Sequence, residues 1–371
     1  MSTTTTGTTT APLGSLAQRV LRSRTMAALT QPHGVDRYLE LVNPMWAAHE
    51  VRARIADVHR EVDVPGHPPV ATLTLEPTST WQGHRAGQHV QLGVEVDGAR
   101  RTTRVFTVSS PDSRPGDRFT VTMRANPDGV VSRYLTGRAA IGSTVHLSQA
   151  QGDFVLPDRV PEHVVMISGG SGITPVMSML RSLQRRTHRG RVTFIHYAQS
   201  PEHQIYAAEL ADVAASGHGI DLHLLHPELG DPALSPAWLE RLVPGYREVP
   251  TWACGPAPLI EAVHGAYDGS EALHVEYFKP PRTGGGEAGG EITFARSGRT
   301  APNTGESLLV QAEALGLRPE SGCRMGICFT CVSRKDEGTV RHVVSGDESS
   351  LPDEEIRVCV SAPVGDCTVD L

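Results

Sequence analysis

Four cysteines carry the first chemical signal in this 371-residue chain: Cys323, Cys328, Cys331 and Cys359. Three lie in Ser321-Gly322-Cys323-Arg324-Met325-Gly326-Ile327-Cys328-Phe329-Thr330-Cys331, a C-x4-C-x2-C spacing, and the fourth follows at a distance. Thiolates spaced this way on a glycine-bearing loop converge on a [2Fe–2S] cluster. Zinc favours paired CxxC or Cys/His clusters, which the asymmetric spacing fits poorly. Backbone N–H groups aimed at the sulfurs help set the potential of such a centre. A cluster passes one electron at a time, so the remaining chain must bring electrons in. Of the other cysteines, Cys367 has no partner pattern and reads as a buried thiol. A long chain with a cluster motif points to a reducing, cytoplasmic compartment rather than to disulfides.

Two further groups of residues suit nucleotides. Arg104-Val105-Phe106-Thr107 reads as a strand. Its guanidinium can fork onto phosphate oxygens, its aromatic can cover a flat ring, and its hydroxyl can reach a flavin. Gly129-Val130-Val131-Ser132 reads as a helix start, where unpaired N–H groups attract a pyrophosphate. Arg124 joins this cofactor-binding set. Farther on, the apolar run Val164 to Ile167 leads into Ser168-Gly169-Gly170-Ser171-Gly172-Ile173-Thr174-Pro175. Strand, glycine loop and helix form a phosphate-binding arrangement, with Pro175 suited to an early helical position. This is not the full G-x-G-x-x-G fingerprint. Cys254-Gly255-Pro256 ends another strand, and Phe278 closes a third.

The elements that position these residues divide the chain. Residues 1–12 are a threonine tract expected to be disordered. Residues 13–47 form a short helical extension, helix-like from Leu13 to Leu29 and again from Asp36 to Val42. Three arginines and no acid precede Asp36, as in a transit peptide, but a plain tail leading into helices is the reading adopted. Residues 48–157 alternate apolar and polar with turn signals, which predicts an antiparallel β-barrel. Residues 158–280 alternate strand and helix, which predicts a doubly wound α/β domain. A glycine-rich linker, 281–290, precedes residues 291–371, which hold the cysteines. That last module carries 13 acids and 8 basic residues, so 8 − 13 = −5 of the chain's net −7. No basic patch interleaved with aromatics suggests nucleic acid, and no apolar run spans a membrane.

These motifs together resemble the ferredoxin-reductase superfamily. R-x-Y/F-S/T matches Arg104, Phe106 and Thr107; G-x-x-S matches Gly129 and Ser132; GG-x-G-I-T-P matches Gly169 to Pro175; and C-G-P matches Cys254 to Pro256. Ala86-Gly87-Gln88-His89 resembles the family's A-G-Q segment, and Glu276-Tyr277-Phe278 its E-x-F. Phe106 stands where Tyr is commoner. The resemblance implies a β-barrel flavin domain, a nicotinamide domain and a β-grasp plant-type ferredoxin domain, in that order. It implies Thr107 at the flavin ring, Cys254 beside the nicotinamide, and Phe278 over the flavin, yielding to the nicotinamide. Gly129 to Ser132 favour FAD over FMN. Ser200, after the second strand, could bind a 2′-phosphate, and no acid stands beside it, so NADPH is expected ahead of NADH.

The implied activity is an NAD(P)H:acceptor oxidoreductase: hydride passes from NAD(P)H to FAD, and single electrons pass on to the cluster. The linker is expected to let the ferredoxin module swing. The segment Pro32 to Pro44 resembles actinobacterial reductases that serve membrane acyl desaturases. The expected acceptor is therefore a fatty-acyl desaturase, with the protein peripheral at a membrane through that partner. The same plan feeds ring-hydroxylating, steroid and alkane oxygenases. A redox sensor or electron carrier without turnover is the reading of another class.

Overall fold

The computed structural model describes residues 15–30, 34–96, 101–127, 129–216, 219–278, 288–322, 324, 326 and 329–371. The threonine tract, most of the expected linker (281–287), and Cys323 and Cys328 lie outside the described residues.

Three short helices open the chain: α1 (Ser15–Leu21), α2 (Arg24–Leu29) and α3 (Gly34–Val42). The stretch expected as one helix breaks after Leu21 because Ser23 caps a new start, its Oγ accepting from the Met26 N–H at 3.3 Å. The extension docks on the body. The buried Asp36 carboxylate accepts backbone N–H bonds from Ala48, His49 and Glu50 at 2.5, 2.9 and 3.1 Å. Fully buried Arg52 pairs with Glu40 at 3.2 Å and Glu50 at 3.5 Å.

Next come β1 (Val51–Val62), β2 (Val70–Pro77), β3 (His89–Val94), β4 (Thr102–Thr107), β5 (Phe119–Arg124), α4 (Val130–Gly137) and β6 (Thr144–Leu147). The strands form one antiparallel sheet in the order β4-β3-β6-β1-β2-β5. A Val108–Val121 bridge joins its two edges and closes the barrel. Alternating residues such as Ile55, Leu73, Leu75 and Val121 fill its interior.

The third layer is β7 (His163–Gly169), α5 (Ile173–Arg185), β8 (Arg191–Tyr197), α6 (Ala207–Ser216), β9 (Ile220–Leu225), α7 (Pro236–Leu242), β10 (Thr251–Cys254), α8 (Ala257–Ala266) and β11 (Leu273–Glu276). Its five strands are parallel, in the order β11-β10-β7-β8-β9. Helices cover both faces, so β7 is apolar from Val164 to Ile167 and these central residues are buried on both sides. The chain winds outward from β7 through β8 and β9, then returns to place β10 on the other side of β7. That switch opens a crevice at the carboxyl ends of β7 and β10, where open α/β sheets bind ligands.

The last module holds β12 (Glu291–Phe294), β13 (Arg299–Pro302), α9 (Leu308–Ala314), β14 (Val332–His342), β15 (Glu348–Ser349), β16 (Glu354–Arg357) and β17 (Ser361–Val369). The sheet order is β13-β12-β17-β14-β15, with β16 also on β14, and α9 packs over a separate core. At the module's start, the Gly289 N–H donates to Asn303 and the Asn303 N–H to Gly290. These two residues of the expected linker are thus held against the sheet.

Candidate functional site

One cavity of about 1470 Å³ gathers residues from all three cofactor modules. That exceeds the roughly 300–1,000 Å³ of a pocket for a single small ligand. From the barrel it is lined by Arg104, Val105, Phe106 and Thr107 on β4, Arg124 at the end of β5, and Gly129, Val131 and Ser132 at the start of α4. Val130, of the same run, points outward and is exposed. The Arg104 guanidinium donates to the Thr103 carbonyl at 2.7 Å. Neither Arg104 nor Arg124 forms an ion pair with a described residue. Burial lowers the pKa of both below the ordinary arginine value, with the Arg324 guanidinium adding to the effect at Arg104. Two half-buried cations with no direct ion pair among the described residues fit an anionic group such as phosphate; Glu313 acts on Arg104 only as a neighbouring charge.

Gly129 is required by packing. A Cβ there would lie 2.9 Å from the Asn126 Cβ and 3.0 Å from the Ser132 Oγ. The Ser132 hydroxyl accepts the Asn126 N–H at 2.9 Å and so fixes the loop. No side chain caps α4 from Gly129, which leaves its first N–H groups available to a pyrophosphate.

Across the crevice, Gly170, Ser171 and Gly172 line the cavity, and α5 starts from Gly172 without a side-chain cap. A Cβ on Gly172 would stand 2.3 Å from the Cys254 carbonyl oxygen. Glycine there allows the loop after β7 to close on the end of β10. Thr174 is buried and turns its hydroxyl to the Ser171 carbonyl at 3.1 Å, stiffening the loop from behind. Gly255, Pro256 and Phe278 line the cavity. The Cys254 thiol is fully buried behind them; burial first, then the Glu276 carboxylate, pushes its pKa well above the ordinary value. Ala198 and Gln199 reach the cavity, whereas Ser200 bonds His203 Nδ1 at 2.8 Å.

The cluster module presents Cys359 to the same cavity. Cys331 and Cys359 are buried in one apolar cluster, and the Val358 N–H donates to the Cys331 carbonyl at 3.2 Å. Two thiols expected as cluster ligands, far apart in sequence, therefore lie on adjoining backbone among apolar side chains. That setting fits a cluster.

Sequence reasoning did not single out His89, Glu276, Glu228 or Arg324 as site residues. Register places His89 beside Thr107 and Glu276 beside Cys254. Their side chains meet between the domains, with His89 Nδ1 3.8 Å from Glu276 Oε1. Burial raises the Glu276 pKa above the ordinary carboxylate value. The available signal was their position inside the A-G-Q-His and E-x-F segments. Glu228 accepts a hydrogen bond from Gln199 at 2.6 Å, a contact no local pattern announces.

Comparisons with known proteins agree with this geometry. The model of the oxidoreductase FAD-binding domain matches residues 63–156, that of the oxidoreductase NAD-binding domain 166–265, and that of the 2Fe-2S iron-sulfur cluster binding domain 292–364. An NADPH oxidoreductase of Mycobacterium tuberculosis is 38% identical over 93% of this chain and 90% of its own length. A glycine betaine monooxygenase reductase subunit of Pseudomonas aeruginosa is 31% identical over 77% and 87%. In fold, the chain is similar to phthalate dioxygenase reductase, with TM-score 0.58, 22% identity, and coverage of 86% of this chain and 97% of the other. The chain belongs to the ferredoxin-reductase-type oxidoreductases with FAD, nicotinamide and [2Fe–2S] domains in that order. It is an NAD(P)H-dependent enzyme that transfers electrons through FAD to a [2Fe–2S] centre.

Proposed function

We propose that this chain is the reductase that supplies a partner oxygenase with electrons from NADPH, and that the partner is a membrane fatty-acyl desaturase. The observation that carries the reductase reading is the shared cavity, onto which Thr107, Gly170 to Gly172 and Cys359 all face. Arg104 and Arg124 hold flavin phosphate. Val105, Phe106 and Thr107 lie along the ring, and the α4 start from Gly129 through Val130 and Val131 to Ser132 receives the pyrophosphate. Gly170, Ser171, Gly172 and Thr174 shape the nicotinamide dinucleotide site, Ser200 serves its 2′-phosphate, and Cys254, Gly255, Pro256 and Phe278 bound its reactive end. Cys323, Cys328, Cys331 and Cys359 ligate the cluster. Residues 48–157, 158–280 and 291–371 are the corresponding domains. When bound, the flavin links a two-electron donor to a one-electron acceptor; the chain supplies position and electrostatics.

Support for an oxygenase partner comes from relatives named as reductase components, such as the glycine betaine monooxygenase subunit. Support for a desaturase is the resemblance of the N-terminal extension. The match to the mycobacterial NADPH oxidoreductase covers 93% of the chain, too much to omit that extension, whereas the monooxygenase subunits match 77%. Among the described residues no helix is long and apolar enough to cross a membrane, so contact with the bilayer would come through the partner. The test has two stages. Purified protein is given NADPH or NADH with ferricyanide or cytochrome c; reduction by neither would eliminate the reductase reading. Reconstitution with an acyl desaturase and, separately, a ring-hydroxylating oxygenase then decides the partner. Turnover with the second alone would overturn the desaturase assignment.

A further inference from the structure

Arg324 follows the first cysteine of the cluster loop, yet it lines the same cavity as Arg104 and Arg124 of the flavin barrel. Cations from two modules, distant in sequence, therefore face one space. The Arg324 guanidinium disfavours the charge on Arg104, and the Glu313 carboxylate offsets part of that effect. Like charges across a seam oppose its closure unless an anion lies among them. One is present: Glu313 on α9 forms a two-pronged bridge to Arg324 at 2.5 and 2.9 Å. Arg104 and Arg124 have no such partner. On the cluster module's side the cavity is also lined by exposed Glu306, which forms no ion pair with a described residue. Its remaining carboxylates, Asp231, Glu261 and Glu276, come from the nicotinamide domain. Arg324 also holds φ at +59°, a left-handed backbone that a non-glycine residue adopts only at a cost.

We propose that Arg324 is a ligand for the flavin's phosphate contributed by the cluster module, so that loading of FAD draws that module onto the barrel. A phosphate reached by both Arg104 and Arg324 would add attraction across the seam beyond what Glu313 supplies, with each guanidinium donating to its oxygens. The inference rests on the assignment of Arg104 to flavin phosphate, and the experiment separates the two.

The full-length protein, stripped of flavin but retaining its cluster, is titrated with FAD, FMN and riboflavin, following quenching of flavin fluorescence. Arg324→Met is expected to weaken FAD and FMN about tenfold, the size of one hydrogen bond to a charged group, and to leave riboflavin unchanged. Salt should weaken FAD binding less in this variant than in the parent, and Arg324→Lys should recover part of the loss. Unchanged FAD affinity, or an equal loss for riboflavin, overturns the proposal. Arg104→Met discriminates further. If it weakens FAD while Arg324→Met does not, the role of Arg324 alone falls; if neither does, the phosphate reading of Arg104 falls as well. Should Arg324→Met lose its cluster, Glu313→Ala carries the test. Releasing Arg324 from its carboxylate is expected to tighten FAD about threefold, and no change overturns the proposal.

Discussion

Gly172→Ala tests the crevice at its tightest point. The added methyl would stand 2.3 Å from the Cys254 carbonyl oxygen, 2.6 Å from its carbon and 2.7 Å from the Gly255 nitrogen. All three are backbone atoms and cannot swing aside as a side-chain tip could. The nearest contact falls roughly 1 Å inside the ~3.5 Å at which non-bonded heavy atoms are comfortable. The loop after β7 must therefore part from the end of β10 by about that distance, at a cost of about 1–3 kcal/mol as in other overpacked cores. Parting them moves the α5 N-terminus away from Gly255 and Pro256, the two walls of the proposed nicotinamide site. A displacement of about 1 Å at a reacting site lowers rate by as much as ~100-fold. The expected result is a fall in kcat/KM for NADPH of at least tenfold in ferricyanide reduction. Flavin and cluster absorbance should be unchanged, since the three atoms nearest the new methyl all belong to the nicotinamide domain. A kcat/KM within twofold of the parent would refute the assignment of this crevice to the nicotinamide.

Three more outcomes follow from the same structure. Fully buried His196 has its pKa held down to about 3, first by burial and then by His226; the unfolded state therefore takes up its proton first, and stability is lost as pH falls below ~6.5. That one group accounts for about 2 kcal/mol between pH 7 and pH 5, and denaturant melts of His196→Gln at both values should show a smaller pH difference than the parent; an equal difference would count against it. Asp36→Ala removes three backbone bonds that tie α3 to the barrel, so cleavage of the N-terminal extension by a dilute protease should speed up about tenfold or more, as loss of about 1.5–3 kcal/mol requires, with ferricyanide reduction preserved. Glu228→Gln removes a carboxylate beside Gln199; the ratio of NADPH to NADH kcat/KM should rise about fivefold, the scale of a partly exposed charge pair, and an unchanged ratio would place the 2′-phosphate elsewhere.

Much of the molecule was legible in its sequence because the signals are local. The C-x4-C-x2-C loop, the glycine loop of residues 168–175 and the Arg104 to Thr107 strand each place their chemistry within about a dozen residues, where spacing alone sets geometry. Periods of two and of strand–helix alternation likewise distinguish the barrel from the parallel sheet, since each buries its faces differently. The break at Ser23 was less visible because helical spacing of Leu13, Leu16 and Val20 outweighed one capping residue.

What the chain order could not say is which strand lies beside which. The crevice exists because β10 returns to the far side of β7, and Cys254 thereby comes under the Gly172 loop. His89 meets Glu276, and Glu228 meets Gln199, through sheet register and loop packing rather than sequence proximity. Arg324 was read only as part of a cysteine loop; docking of its module brings it to the same cavity as Arg104. The cysteines themselves specify a one-electron centre. Its place beside a cavity shared with the other two modules is a matter of tertiary packing, because only long-range contacts bring three modules to one space.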